Sequence, residues 1–236
     1  MLRSFNTVCN RCKAASVIQL DISDLFANAL PQPIIGVCPD CSAVLEAANR
    51  AEFNRMHEKE MLEKARLPKE FLNFDKGKGN MDLARFVWNN RSDSMMLFGP
   101  VGSGKSRCVC RAAKELILAG KKVEYWSFQD LAGRYTALQQ EGSEHGRKFV
   151  RNLFTWNDIT IIDDIDKKRY SESVCELLYA IFDGVYSGTY AGKLWGTANF
   201  ANGEEMHRKF ENGDIADAVC SRVDRMAKDG RMKLWR

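Results

Sequence analysis

No apolar run in this sequence approaches the ~20 residues that a membrane-spanning helix requires, so no span is expected. The opening segment, MLRSFNTVCNRC, lacks the apolar core of a secretory signal, which leaves the cytoplasm as the expected location. In that compartment the 8 cysteines are expected as thiols or metal ligands rather than disulfides. Internal repeats and low-complexity tracts are also missing, which excludes solenoid and disordered-linker architectures. Histidine is scarce: His57, His145 and His207 share no metal-ligand spacing and read as surface residues. Charge of either sign is nearly balanced, at a formal +4, which permits nucleic-acid contact without demanding it.

What is present is ordinary globular material. The 236 residues are 45% hydrophobic and 28% charged, enough for one sizeable core and a small appendage. Three parts are expected: a small cysteine-bearing domain over residues 1–43, a linker helix over 44–67, and a large domain over 68–236. In the first, SVIQLDI alternates Val17, Gln19 and Asp21 against Ile18, Leu20 and Ile22, the pattern of a strand. The linker is rich in Ala, Glu, Lys and Met without Gly or Pro, places Glu60 four residues before Lys64, and ends at Pro68. Its bland reading is a solvated helix. In the third part a helix after GKGN is expected to present Met81, Ala84, Val87 and Trp88 on one face. Strands are expected at SMMLFG, KVEYWS, DITIIDD, GKLWGTAN and RMKLWR, with helical stretches between them. That alternation predicts an α/β fold with a parallel sheet flanked by helices.

The segment from Gly99 through Pro100, Val101, Gly102, Ser103, Gly104 and Lys105 to Ser106 matches G-x-x-x-x-G-K-[ST] in full, after an apolar strand and before a helix. Such a loop turns backbone N–H groups around phosphates. Lys105 would meet the β/γ oxygens of ATP and the Ser106 hydroxyl would ligate Mg²⁺. A chance glycine turn is the alternative, and it does not predict this strand–turn–helix context. The metal needs an acidic partner, and ITIIDD supplies Asp163 and Asp164 at the end of a strand that reads as buried. Asp163 would hold Mg²⁺ and Asp164 would polarise the attacking water. Read alone, the pair could be solvated aspartates at a strand end. Asn199, after KLWGTA, stands where a polar side chain could orient water or touch the γ-phosphate, although asparagine is common at strand ends. Arg222, on a late helix, could reach the γ-phosphate of a neighbouring subunit or be a surface arginine, and Arg225 is an alternative or second contact.

Cys9 with Cys12 and Cys38 with Cys41 form two C-x-x-C pairs. Four thiolates make a closed, structural Zn²⁺ site whose binding energy would fold a segment too short for its own core. Iron in the same site, unpaired thiols and a redox pair are the alternatives. Cys108, Cys110, Cys175 and Cys220 read as small buried hydrophobes.

In order along the chain, LPKEFLNFD, LFGPVGSGKS, IIDDID, GTANF and CSRVDRM resemble the AAA+ ATPase domain of the DnaC/DnaI-type replicative helicase loaders, with the IstB transposition helper ATPases as close relatives. The resemblance covers roughly the last two thirds of the chain. It implies that Lys105 and Ser106 belong to Walker A, Asp163 and Asp164 to Walker B, that Asn199 is sensor 1, and that Arg222 is the arginine finger. Many AAA+ proteins carry Glu where Asp164 stands, so the expected consequence is slower hydrolysis rather than lost ATP binding. The chain stops after MKLW, so the large C-terminal lid of many relatives is not expected. The family's single-stranded DNA contact falls on HGRKFVRNLFTW, which nominates Arg147, Lys148 and Arg151 as phosphate contacts. The alternative there is an amphipathic helix with Phe149, Phe154 and Trp156 turned to the core. A zinc domain at the N-terminus resembles the DnaI subgroup and implies docking on a hexameric replicative helicase. The function implied is ATP-dependent loading of that helicase onto single-stranded DNA, with self-association through the ATPase domain. Two rivals stand beside it: a transposition helper on duplex DNA, and a nucleotide-sensing adaptor with negligible turnover.

Overall fold

The computed structural model describes residues 2–8, 12, 15–21, 41, 44, 55–72, 80–167, 170–201, 203–210 and 212–235. The chain divides into two compact units, Met1–Lys59 and Glu60–Arg236. In the first, β1 (Leu2–Val8) and β2 (Ala15–Asp21) pair antiparallel, from Leu2 opposite Asp21 to Val8 opposite Ala15. The alternation of SVIQLDI foresaw β2. Its partner β1 carries no comparable pattern and was not expected. Residues 55–64 are helical (α1), within the span read as a linker helix, and the division between the units falls inside this helix.

In the second unit five strands form one parallel sheet in the order β4-β5-β6-β3-β7. They are β3 (Ser94–Phe98), β4 (Val123–Ser127), β5 (Ile159–Asp163), β6 (Lys193–Ala198) and β7 (Met232–Trp235). All five coincide with the strands expected from the sequence. Between them run α2 (Lys69–Leu72), α3 (Met81–Asn89), α4 (Lys105–Leu118), α5 (Phe128–Glu141), α6 (Ser143–Trp156), α7 (Glu172–Ser187), α8 (Gly203–His207) and α9 (Gly213–Lys228). The short α8 was not foreseen.

Every residue of β3 and β5 is buried. A strand covered on both faces reads as a near-continuous apolar run, and SMMLF and ITIID do so apart from the buried Ser94, Thr160 and Asp163. The pleat still sorts their side chains. Met96 and Phe98 join one core cluster with α5, α6, α7 and α9, while Met95 and Leu97 join the other with α3 and α4. Trp195 lies wholly inside the second cluster and donates its indole N–H to the Asp93 carbonyl at 3.0 Å.

One expectation about packing is corrected. Helix α3 buries Leu83 and Val87, an i,i+4 pair, while Met81 and Trp88 are 52% and 43% exposed. The Asn80 side chain accepts from the Leu83 N–H at 3.0 Å, which fixes where the helix begins and so its rotation. In so short a helix the two apolar faces overlap, and periodicity cannot choose between them. Trp88 instead lies beneath the Arg91 guanidinium, 4.6 Å from its ring centre. Among the described residues no helix is long and apolar enough to cross a membrane.

Candidate nucleotide-binding site

The site forms where the order of strands reverses. Strand β3 leads into the loop 99–104, and its neighbours β6 and β7 come from later in the chain. The loop is tied to the sheet by the Gly99 N–H, which donates to the Phe200 carbonyl at 3.1 Å. Gly102 and Gly104 have φ of 81° and 90°, the left-handed region that a side chain disfavours. A Cβ added at either would meet nothing within 4 Å, so backbone conformation and not crowding demands glycine there. The open space and the N-terminus of α4, which starts at Lys105, suit an anion.

Lys105 is 5% exposed. Its Nζ donates to the carbonyls of Gly99 at 2.8 Å and Pro100 at 3.0 Å, to Asn199 Oδ1 at 3.0 Å and to Ser103 Oγ at 3.3 Å. Burial pulls its pKa below the ordinary 10.5, opposed by the charges of Asp164, Asp166 and Asp163. Phosphate oxygens would replace neutral acceptors around an already desolvated ammonium.

Asp163 ends β5 and is 2% exposed. Three hydroxyls from three other elements donate to it. Ser106 reaches Oδ1 at 2.7 Å, Tyr125 reaches Oδ2 at 2.7 Å, and Thr197 bonds Oδ1. Burial, then the Asp163 charge, push the Tyr125 phenol far above its usual range, so it stays a donor. The pairing of Ser106 with Asp163 suits a magnesium ion bound to nucleotide phosphates, since both are hard oxygen donors already side by side.

Asp164 differs from its neighbour. Its φ is 59°, its N–H donates to Thr197 Oγ1 at 2.9 Å, and its Oδ2 lies 2.5 Å from Lys167 Nζ. The hydrogen bond to Asp164 raises the Lys167 pKa, so this ammonium stays charged. Asn199 follows β6. Its Oδ1 accepts from Lys105, while its Nδ2 donates to both carboxylate oxygens of Asp166, at 3.1 and 3.0 Å.

The fold therefore brings Lys105, Ser106, Asp163, Asp164 and Asn199 to one end of the sheet. Arg222 is held elsewhere. From α9 its Nε and Nη2 bond Asp183 Oδ1 at 2.8 and 2.7 Å, Nη2 reaches the Tyr179 hydroxyl at 3.0 Å, and Nη1 reaches the Ala218 carbonyl at 3.0 Å. Arg225, also on α9, hydrogen-bonds Tyr186, and this contact comes first in lowering the phenol's pKa. On α6, Arg147, Lys148 and Arg151 are exposed. They line an open groove of about 990 Å³ together with Tyr135, Tyr179 and Tyr190. Phe154 is buried and stacks on Tyr190 at 4.9 Å, Phe149 packs edge-on to Trp126 at 5.7 Å, and Trp156 is 67% exposed. Of the four cysteines expected to bind zinc, Cys12 is exposed and Cys41 half-buried, while Cys9 and Cys38 lie outside the described residues. Cys108, Cys110 and Cys175 are buried, and Cys220 is half-buried with its thiol pushed up to about 11 by desolvation.

Sequence reasoning missed Tyr125, Thr197, Asp166 and Lys167. Two signals were available: Thr197 is a polar residue late in a buried strand, and Asp166 is the third acid of IIDDID.

Residues 50–229 match the family of IstB-like ATP binding proteins. No curated protein matches the chain at a significant level. Among solved structures, the DnaC helicase loader is 17% identical with a TM-score of 0.51, over 72% of this chain and 100% of that one. Domain III of the Thermotoga maritima replication initiation protein DnaA is 19% identical with a TM-score of 0.52, over 72% and 68%. A candidate primosome component from Streptococcus pyogenes serotype M3 is 19% identical with a TM-score of 0.51, over 75% and 94%. This chain spans only 47% and 50% of the length of two longer replication-initiation structures that it matches. At these identities the likeness is one of fold: an AAA+ P-loop core.

Proposed function

Because the chain belongs to the family of IstB-like ATP-binding proteins, we propose that it is an AAA+ ATPase that loads a ring-shaped replicative helicase onto single-stranded DNA. The observation that carries the nucleotide part is the convergence of Lys105, Ser106, Asp163, Asp164 and Asn199 on a positive-φ glycine loop. When bound, ATP with Mg²⁺ supplies a phosphoryl group whose developing charge the metal neutralises. Residues 99–106 hold the phosphates, with Lys105 releasing the Gly99 and Pro100 carbonyls to do so. Ser106 and Asp163 are the metal's ligands on this chain. The Tyr125 and Thr197 hydroxyls keep the Asp163 carboxylate from rotating. Asp164 and Asn199 orient the attacking water, and Lys167 must release Asp164 for that purpose. Arg222 acts in trans after leaving Asp183, so turnover depends on assembly.

The loader part rests on the motif order and on the fold shared with the DnaC helicase loader. Cys9, Cys12, Cys38 and Cys41 are assigned to a structural zinc site that docks on the hexameric helicase, and Arg147, Lys148 and Arg151 to the DNA backbone. Their exposure on α6 supports the second assignment. The resemblance to the IstB helper ATPases supports a second reading, a transposition helper on duplex DNA, and the family match is compatible with it. The deciding experiment is the native mass of this protein mixed with the replicative helicase of its host, with and without ATP. A nucleotide-dependent complex requiring residues 1–43 supports the loader. Failure to form one, with ATP-dependent filaments on duplex DNA, supports the helper.

A further inference from the structure

We propose that Asp166 is a positioning residue for Asn199, and that through this side chain it tunes the nucleotide seat to a triphosphate over a diphosphate. The inference rests on the nucleotide-binding reading and adds a residue to it. Asp166 lies on the single turn Ile165–Lys167 immediately after the paired aspartates. That turn is well anchored. Ile165 is 1% exposed, its carbonyl accepts from the Tyr170 hydroxyl at 3.1 Å, and the Asp166 carbonyl accepts from Lys209 Nζ at 3.2 Å.

The Asp166 carboxylate takes three hydrogen bonds from one residue. The Asn199 backbone N–H reaches Oδ1 at 2.8 Å, and Nδ2 lies 3.1 Å from Oδ1 and 3.0 Å from Oδ2. An asparagine amide can turn over without changing shape, so only its partners decide which end faces where. A carboxylate accepts and never donates, so it selects the nitrogen end, and a charged acceptor holds it about twice as firmly as a neutral one. The oxygen end must then face the other way, and it does: Oδ1 accepts from Lys105 Nζ at 3.0 Å. Asp166, Asn199 and Lys105 thus form a chain of fixed polarity ending on the cation that meets the outer phosphates. The same amide nitrogen lies 3.5 Å from Asp164 Oδ1, within reach of the carboxylate assigned to the attacking water. Removing Asp166 frees the amide to rotate and leaves the diphosphate contacts of residues 99–106 in place.

The test is binding of a fluorescent ADP analogue, with competition by ADP and by ATPγS, to the full chain and to Asp166→Asn and Asp166→Ala, with melting temperatures recorded alongside. Asp166→Ala is expected to weaken ATPγS about tenfold while changing ADP less than about twofold. Asp166→Asn, which can still accept one bond through its amide oxygen, should fall between it and the parent chain. Unchanged affinity for both nucleotides in both variants would overturn the assignment. So would equal losses for both nucleotides with a lowered melting temperature, which is the signature of a merely structural role. A parent chain that binds neither nucleotide would instead sink the nucleotide-binding reading itself.

Discussion

The phosphate loop and the α7–α9 face each hold a cation against the day it is needed, by different means. Lys105 rests on two carbonyls, a hydroxyl and an amide oxygen, all neutral. Arg222 rests on a carboxylate, a phenol and one carbonyl. A phosphate arriving at Lys105 displaces weak partners and meets a desolvated charge, so binding needs no other trigger. A phosphate arriving at Arg222 must compete with Asp183, and in the proposed assembly a neighbouring subunit would be what presents it. Under the proposed function, the difference would separate the two halves of an ATPase cycle, with occupancy set by the isolated chain and turnover by assembly.

Four experiments break or sharpen that contrast. Lys105→Ala removes the cation on the loop side, and nucleotide affinity should fall by about a hundredfold or more, read by calorimetry. Arg222→Ala should leave nucleotide affinity of the dilute chain unchanged and lower turnover of the assembled protein by about 10³, since trans arginines contribute 10³ or more in related chemistry. Equal loss of affinity and turnover would place Arg222 among ordinary structural residues. Asp183→Asn should free the arginine and raise turnover by a few-fold at low protein concentration. It should cost about 1 kcal/mol of stability or less, because the pair is partly exposed at 21% and 40%. The smallest effect is one of pH. The depressed Lys105 pKa means that affinity for ADP, full while the ammonium is protonated, declines as pH rises through a value below the ordinary 10.5. Burial pushes both Tyr125 and Cys110 upward, opposite to the shift at Lys105. A titration of ADP affinity on the alkaline side of neutrality reads the shift, and a profile identical to that of Lys105→Ala would remove Lys105 from the binding charge.

Most of the phosphate side was legible in the sequence because it is contiguous. Residues 99–106 carry their own strand, turn and helix, and Asp163 and Asp164 end a run too apolar to be anything but a buried strand. What surrounds Asp163 was not legible. Tyr125 and Thr197 arrive from β4 and β6, the strands on either side of β5, and nothing local encodes that adjacency. The partner of Arg222 lies 39 residues earlier on another helix for the same reason. The face of α3 was misread because two overlapping apolar stripes compete in 9 residues, and a capping asparagine decides between them.

The backbone at Asp164 has a consequence for how this sequence came to be kept. With φ of 59°, it occupies a conformation that costs a non-glycine residue about 1–2 kcal/mol. Glycine would be the relaxed choice, and the structure would gain by it, less the lost pairing with Lys167. A library selected for heat resistance alone should drift to glycine at this position, while one selected for phosphate release should hold the acid. The gap between those two outcomes measures how much durability the proposed catalytic geometry has displaced.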